Sequence, residues 1–94
     1  MEGGLRVDYT IHIWKEGSQF VGCAMPLDVT SAGRTPDEAR RAVSEAVRLF
    51  LEESQRMGTL QDILREEGFV PRDGSNASWS PPPLIATEHM RVAF

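Results

Sequence analysis

Residues 28–39 read DVTSAGRTPDEA and place a glycine shortly before a helix start. Such a turn can present backbone N–H groups to a phosphate. A phosphate loop, however, has several glycines before a Lys-Ser or Lys-Thr pair, and SAGRT has one glycine and no lysine. The Thr35 hydroxyl and the Glu38 carboxylate can satisfy N–H groups of the first turn, and Asp37 would repel an anion. The stretch predicts a turn with backbone freedom at Gly33 and then a helix cap.

Carboxylates are the next candidates, because paired acids hold metal ions or transfer protons. Asp8 lies within the first alternating segment, and Asp28 precedes a β-branched one. No spacing forces any two carboxylates together, so we expect solvated side chains. The remaining acids considered lie on the main helix: Glu45, Glu52 and Glu53.

Two histidines and one cysteine complete the set of possible ligands or nucleophiles. His12 and His89 fall on the first and last predicted strands and could be neighbours if those strands pair, but they lack HExxH spacing or a cysteine cluster. Cys23 lies in an apolar segment with no histidine or cation beside it, which predicts a small core residue. The sequence therefore predicts no catalytic residue, no metal ligand and no cofactor.

Three aromatic residues, Trp14, Phe20 and Trp79, are candidates for a partner interface. Trp14 interrupts the apolar parity of its strand and should face away from the core. Two interpretations of Trp14 are possible, a contact at the end of the hairpin and a contact in a protein interface.

Composition limits the class of protein. The chain has 94 residues and a net charge of −4, and its ten basic residues are dispersed, which disfavours nucleic acid as the main ligand but allows a basic protein partner. A chain of this length carries one domain. It has no N-terminal apolar region of signal-peptide or membrane length. We expect a cytoplasmic, bacterial-type protein that does not bind membranes.

The first half of the chain predicts a three-stranded antiparallel meander. Residues 5–14 alternate apolar and polar side chains, and residues 15–18 form a turn. QFVGCAM is the second strand, ended by Pro26, and LDVTSAG is the third. Such a sheet has one apolar face that needs a cover.

A long helix provides that cover. Thr35 and Glu38 form a capping pattern around Pro36, and apolar residues at three- and four-residue spacing predict a helix over 36–56, closed by Gly58. Thr59, with Asp62 three residues on, starts a second helix that Gly68 ends. The apolar helix positions are Ala39, Ala42, Val43, Ala46, Val47, Phe50 and Leu51, then Leu60, Ile63 and Leu64.

The predicted fold class is α+β, in the order β-β-β-α-α-β. Residues 1–94 form a single domain with a core over 5–69. Residues 70–83, VPRDGSNASWSPPP, are predicted to be a linker. Residues 84–94 are predicted to contain a final strand, because Met90, Val92 and Phe94 alternate there.

FVGCAMPLDV, SAGRTPDEA and the helix ending in LFLEE together resemble the HicB-like antitoxin family, over roughly residues 7–69. The resemblance implies a partial ribonuclease H-like fold without catalytic residues. It also implies that the protein covers the active surface of a small RNA-cleaving toxin of the HicA type. Two departures are the proline at position 26, one place later than in the family, and the lack of room for an appended DNA-binding module. We therefore expect no direct DNA binding. The matching framework positions are Phe20, Val21, Leu27, Val29, Gly33, Thr35, Glu38 and Ala39.

Three functional hypotheses follow. The first is a HicB-like antitoxin, or a protein derived from one, that binds and occludes a HicA-like toxin. The second is a solitary assembly module that forms a homodimer or higher homo-oligomer, with the last strand pairing on a neighbour's sheet edge. The third and weakest is a metal-dependent ribonuclease H-like nuclease, which rests on fold analogy alone.

Overall fold

The computed structural model describes residues 4–74 and 76–94 and has the predicted α+β order of three antiparallel strands, a long helix, a short helix and a C-terminal strand. Two additional short strands accompany them. The elements in chain order are β1 (Arg6–Val7), β2 (Thr10–Glu16), β3 (Gln19–Met25), β4 (Val29–Gly33), α1 (Pro36–Arg56), α2 (Leu60–Glu66), β5 (Val70–Pro71) and β6 (Ser78–Ser80).

The predicted first strand divides into β1 and β2. The predicted alternation is present, with Leu5, Val7, Tyr9, Ile11 and Ile13 half-buried and the residues between them exposed. The two halves nevertheless pair with different partners. β1 pairs in parallel with β6, and Asp8 N donates to Trp79 O at 3.0 Å, whereas β2 pairs with β3. One strand pattern thus contributes to two three-stranded sheets, β1-β6-β5 and β2-β3-β4.

The meander β2-β3-β4 has the predicted antiparallel pairing. The β2-β3 ladder runs from Thr10 opposite Met25 to Glu16 opposite Gln19, so the connecting turn is shorter than the predicted 15–18. Gly17 has φ of 64°, a conformation that favours glycine. β4 pairs with β3 from Val29 opposite Ala24 onward. The ladder fixes which side chains share each face of the sheet.

Helix α1 has the predicted bounds because both its ends are encoded locally. The Thr35 hydroxyl accepts from Glu38 N at 3.0 Å, Pro36 is the first helical residue, and Glu38 Oε1 accepts from Arg34 N at 2.8 Å. At the other end, Gly58 has φ of 77° and donates to Gln55 O at 3.1 Å. Such a glycine closes the last turn without a Cβ penalty.

Replacing Thr35 with alanine is expected to lower the free energy of unfolding by about 1 kcal/mol, because the N–H group of Glu38 loses its acceptor. Thr87→Ala is the control, since Thr87 is exposed and lies outside the helices and strands, and its cost should stay within about 0.5 kcal/mol. Urea denaturation of both variants measures the difference. Equal costs would show that the cap at Thr35 contributes nothing specific.

Helix α2 forms where predicted, but the predicted Thr59–Asp62 cap does not. Thr59 instead donates its hydroxyl to Ser54 O at 3.3 Å, because its backbone belongs to the end of α1, where its N–H donates to the same carbonyl at 2.9 Å. Gly68 has φ of 89° and ends α2. Phe69 then folds back into the core, as predicted, with its N–H donating to Leu64 O at 2.9 Å.

The last strand lies elsewhere than predicted. It is β6, inside the segment 70–83 that was predicted to be a linker, and residues 84–94 have no regular secondary structure. β6 pairs with both β1 and β5, and its central residue, Trp79, is buried in the core. Residues 81–83 are prolines, which lack the N–H group that a continuing ladder needs. The strand therefore stops before the predicted position begins.

The core lies between the sheets and the two helices. α1 packs mainly on β3 and β4, and it can approach closely because glycines occupy positions 22 and 33. A Cβ atom at Gly22 would lie 2.7 Å from Val43 Cγ2. Within residues 4–74 and 76–94, neither helix is long and apolar enough to cross a membrane. The core cluster consists of Ala24, Leu27, Val43, Val47, Leu60, Leu64, Phe69 and Trp79.

Candidate protein-interaction surfaces

Strand register separates the two faces of the meander. Ile13, Gly22 and Ser31 lie in one row, and the contact between Gly22 and Val43 shows that this row faces α1. The neighbouring row, Trp14, Val21 and Ala32, faces the opposite way. We call the side opposite α1 the outer sheet face. Its residues are Thr10, His12, Trp14, Glu16, Gln19, Val21, Cys23, Met25, Thr30 and Ala32.

The outer sheet face has an unusual composition for a surface without a covering helix. Of its strand residues, Glu16 alone is an aspartate, glutamate, lysine or arginine, and Glu16 lies at the hairpin end. Exposed sheet faces are normally polar, and depletion of charged residues is typical of the centre of a protein interface. Trp14 is 43% exposed here, and its Nε1 donates to Glu16 Oε1 at 3.0 Å. The prediction that Trp14 faces away from the core is confirmed.

Phe20 lies on the other side of the sheet. It shares a row with Lys15 and Gly33, and Gly33 lies against the first turn of α1. Phe20 is accordingly half-buried toward the helix. Trp14 and Phe20 therefore lie on opposite faces of the sheet and do not form one interface.

Trp79 is a core residue, and its prediction as an interface residue is wrong. Its side chain is 0% exposed, and its Nε1 donates to Asn76 O at 2.8 Å. The Arg65 guanidinium lies over the indole, 5.4 Å from the ring centroid. The three prolines after Trp79 have the composition of a linker, so the sequence did not predict the buried strand there. The alternation of Ser78, Trp79 and Ser80 was the available signal.

Cys23 is buried, as predicted, although its register places it on the outer sheet face opposite His12 and Thr30. Its Sγ lies 3.6 Å from Met25 Sδ and 3.7 Å from Asp28 Oδ1. Burial, the negative charge of Asp28 and the hydrogen bond to it raise the pKa of the Cys23 thiol. A raised pKa leaves less of the thiolate, which is the nucleophilic form, so this position disfavours a reactive role for Cys23.

The other candidate groups do not converge. His12 lies on β2, whose one strand partner in the sheet is β3, and His89 is exposed in the C-terminal segment, so the strand pairing that would make them neighbours does not occur. Asp8 is exposed and forms an ion pair with Arg72 at 3.3 Å. Among the described residues, no three or more His, Cys, Asp or Glu side chains form a group that could hold a metal ion. On α1, Glu52 pairs with Arg48, Glu53 pairs with Arg56, and Glu45 is exposed.

Residues 28–39 form a structural junction. The Glu38 N–H and the Arg34 N–H both have side-chain acceptors, as the cap prediction requires. The predicted reason for Gly33 is wrong, because its φ does not lie in the positive region. A Cβ atom there would instead lie 2.6 Å from Glu38 Cβ and 2.7 Å from Ala39 N. Gly33 allows the helix to begin directly against the strand.

Residues 84–94, which we call the C-terminal arm, form a second apolar surface. The radius of gyration is 15.4 Å, whereas a compact domain of 94 residues has about 12 Å. The arm accounts for this elongation, since every residue from Pro82 onward is exposed. Its large apolar side chains are each at least 77% exposed, and they are Leu84, Ile85, Met90, Val92 and Phe94.

An open cleft of about 660 Å³ lies between α1 and the segment that carries β1 and Tyr9. α1 contacts β3 and β4 extensively and β2 much less, so the helix lies off-centre on the sheet and leaves this side open. The cleft is lined by apolar groups on the strand side, Leu5, Val7 and Tyr9, and by Ser44, Arg48, Leu51 and others on the helix side.

Comparison of the chain with protein-family models, with curated proteins and with solved structures found no match.

Proposed function

We propose that this protein is a non-catalytic HicB-like antitoxin, or a protein derived from one, that acts in the bacterial cytoplasm. In this proposal it binds a small, basic, RNA-cleaving toxin of the HicA type and covers the surface with which the toxin holds RNA. The outer sheet face carries the proposal. It is a three-stranded surface with an exposed tryptophan in the row next to its hairpin end and one charged residue at that end.

The physical argument begins with desolvation. Burying a charged side chain in an interface costs free energy unless a partner charge meets it, whereas Trp14, Val21 and Ala32 can be buried without that cost. A partly exposed tryptophan offers a large apolar area with few rotatable bonds, which makes it the best single anchor on this face.

Charge supports a basic partner. The chain carries a net charge of −4, Glu16 ends the outer sheet face, and the Asp28 carboxylate lies beside that face, 3.7 Å from Cys23 Sγ. An RNA-cleaving protein needs basic groups to hold phosphates, so its RNA-binding surface is complementary to this rim. Opposite charges at the rim would accelerate association, while the apolar row would supply most of the affinity.

Trp14→Ala is expected to weaken binding of the proposed HicA-type toxin by about 30-fold or more, since interface anchors contribute about 2 kcal/mol or more. Isothermal titration calorimetry of the purified proteins measures the dissociation constant. Leu49→Ala is the matched control, because Leu49 is also an exposed apolar residue but lies on α1, and it should change the constant less than about twofold.

Two results would contradict the proposal. One is equal affinity of the Trp14→Ala variant and the wild-type protein for the toxin. The other is affinity capture from the native host that recovers no basic partner and only copies of the protein itself. That second outcome would favour the alternative of a solitary, self-associating assembly module, for which the exposed C-terminal arm is the supporting observation.

A further inference from the structure

We propose that the C-terminal arm of one copy adds as a strand to the free edge of β2 in a second copy, with Met90, Val92 and Phe94 turned toward the flank of α1. This pairing forms a homodimer by reciprocal exchange of arms. It goes beyond toxin binding and does not depend on it.

The arm has the pattern of a strand without a sheet. Met90, Val92 and Phe94 alternate with Arg91 and Ala93, so an extended backbone places the three large apolar groups on one side. All three are exposed in the single chain. A segment with one apolar side and no cover gains free energy by joining a sheet that offers an apolar neighbour on that side.

The edge of β2 is such a neighbour. β2 ends the sheet order β2-β3-β4, so the N–H and C=O groups on its outer side have no strand partner among the described residues. Its helix-facing residues Ile11 and Ile13 are half-buried, and the cleft beside α1 begins at Tyr9, directly before β2. An added strand would therefore gain both a backbone ladder and space for its apolar side chains.

The opposite edge, β4, is less suitable. It has five residues against seven in β2, so it offers a shorter ladder. It also lies closely under α1, with Gly33 against the first helical turn, which leaves little room beside it on the helix side. The off-centre helix thus selects β2.

The area is sufficient for a dimer. One large apolar side chain removes about 100 Å² of its surface from water when it is buried. Met90, Val92 and Phe94 on each of two arms, together with the surfaces that they cover, give about 1,200 Å². Stable interfaces bury about 1,200–2,000 Å². The arm is also long enough, since eleven extended residues span about 36 Å.

The exit of the arm is held in place before exchange. Pro82 packs beside Gly68, where a Cβ atom would lie 3.4 Å from Pro82 Cγ. The prolines at 81–83 favour a stiff extended conformation with few alternatives. A stiff segment of this kind lowers the entropy lost when the arm docks.

Sedimentation equilibrium of the full chain tests the proposal. The wild-type protein should sediment at about 21 kDa, twice its mass of 10.5 kDa. Val92→Asp should raise the dimer dissociation constant at least tenfold, because a carboxylate would enter the apolar contact. Ala93→Asp adds the same charge one residue away on the opposite side of the strand and should change the constant less than about threefold. A monomeric wild-type protein, or equal effects of the two variants, would overturn the proposal.

Hydrogen–deuterium exchange locates the docking edge. In the wild-type dimer, amides of Thr10–Glu16 should exchange more slowly than in the Val92→Asp variant, and those of Val29–Gly33 should exchange at the same rate in both proteins. Protection that appears at Val29–Gly33 instead would reject β2 as the site. Unchanged thermal stability of the diluted variants, measured by circular dichroism, shows that each arm variant is folded.

Discussion

Replacing Trp79 with alanine is expected to lower the free energy of unfolding by about 3–5 kcal/mol, as measured by urea denaturation. Trp79 is completely buried and is the largest such side chain in the described part of the chain. The change removes its packing, its hydrogen bond to Asn76 O and its contact with the Arg65 guanidinium. A domain of this size has about 5–14 kcal/mol in total, so the variant should be close to unfolding at physiological temperature.

The matched control is Trp14→Ala, which removes the same side chain from an exposed position. Its cost should be below about 1 kcal/mol, because Trp14 is already partly in contact with water. Similar costs for the two variants would contradict the placement of Trp79 in the core. A stable Trp79→Ala variant would instead agree with the prediction that residues 70–83 are a linker.

Gly33→Ala is expected to destabilise the fold by about 2–3 kcal/mol, although alanine is the smallest possible addition. The new methyl group would lie 2.7 Å from Ala39 N and 2.6 Å from Glu38 Cβ, whereas atoms in normal contact are about 3.5–4.0 Å apart. Ala39 N belongs to the helix backbone, which cannot move without shifting α1 on the sheet. Thermal unfolding followed by circular dichroism measures the loss.

Gly4→Ala is the control for the general effect of replacing glycine. A Cβ atom at Gly4 would have no atom of the described chain within 4 Å, so this variant should match the wild-type protein within about 0.5 kcal/mol. If Gly33→Ala were as stable as Gly4→Ala, the close contact between β4 and α1 would be incorrect. The proposal that Gly33 and Thr35 together position the helix would then be wrong.

The sequence predicted those elements whose signals are local. α1 has a hydroxyl cap, a proline at its first position and a glycine after its end, and its bounds were predicted without error. The meander was predicted from alternation and turn residues. The division of the first strand was not, because the pairing of β1 with β6 joins residues that are more than 70 positions apart. A local pattern has no information about such a partner.

The candidate surface was predicted only in part, because the sequence shows local patterns but not the pairing of strands. The parity of residues 5–14 placed Trp14 away from the core. The charge depletion of the outer sheet face becomes visible only when β2, β3 and β4 are aligned in register. Trp79 was misassigned because a tryptophan beside three prolines has the composition of an exposed linker, and only the tertiary structure shows that it is buried.

The two proposed surfaces are compatible within one molecule. A strand added to the edge of β2 would extend the meander sideways and would leave the outer sheet face uncovered. A homodimer could therefore present two outer sheet faces and bind two toxin molecules. Under this arrangement, Val92→Asp should weaken the dimer at least tenfold and leave the affinity of each copy for the toxin unchanged.

The central claim is that this protein occludes a HicA-type toxin through its outer sheet face. The most direct test is an assay of RNA cleavage by a purified toxin of this type. Titration with the wild-type protein or the Leu49→Ala variant should stop cleavage at about one copy per toxin molecule. The Trp14→Ala variant should need at least tenfold more protein for the same inhibition. Continued cleavage at saturating wild-type protein, or equal inhibition by Trp14→Ala and the wild-type protein, would contradict the claim.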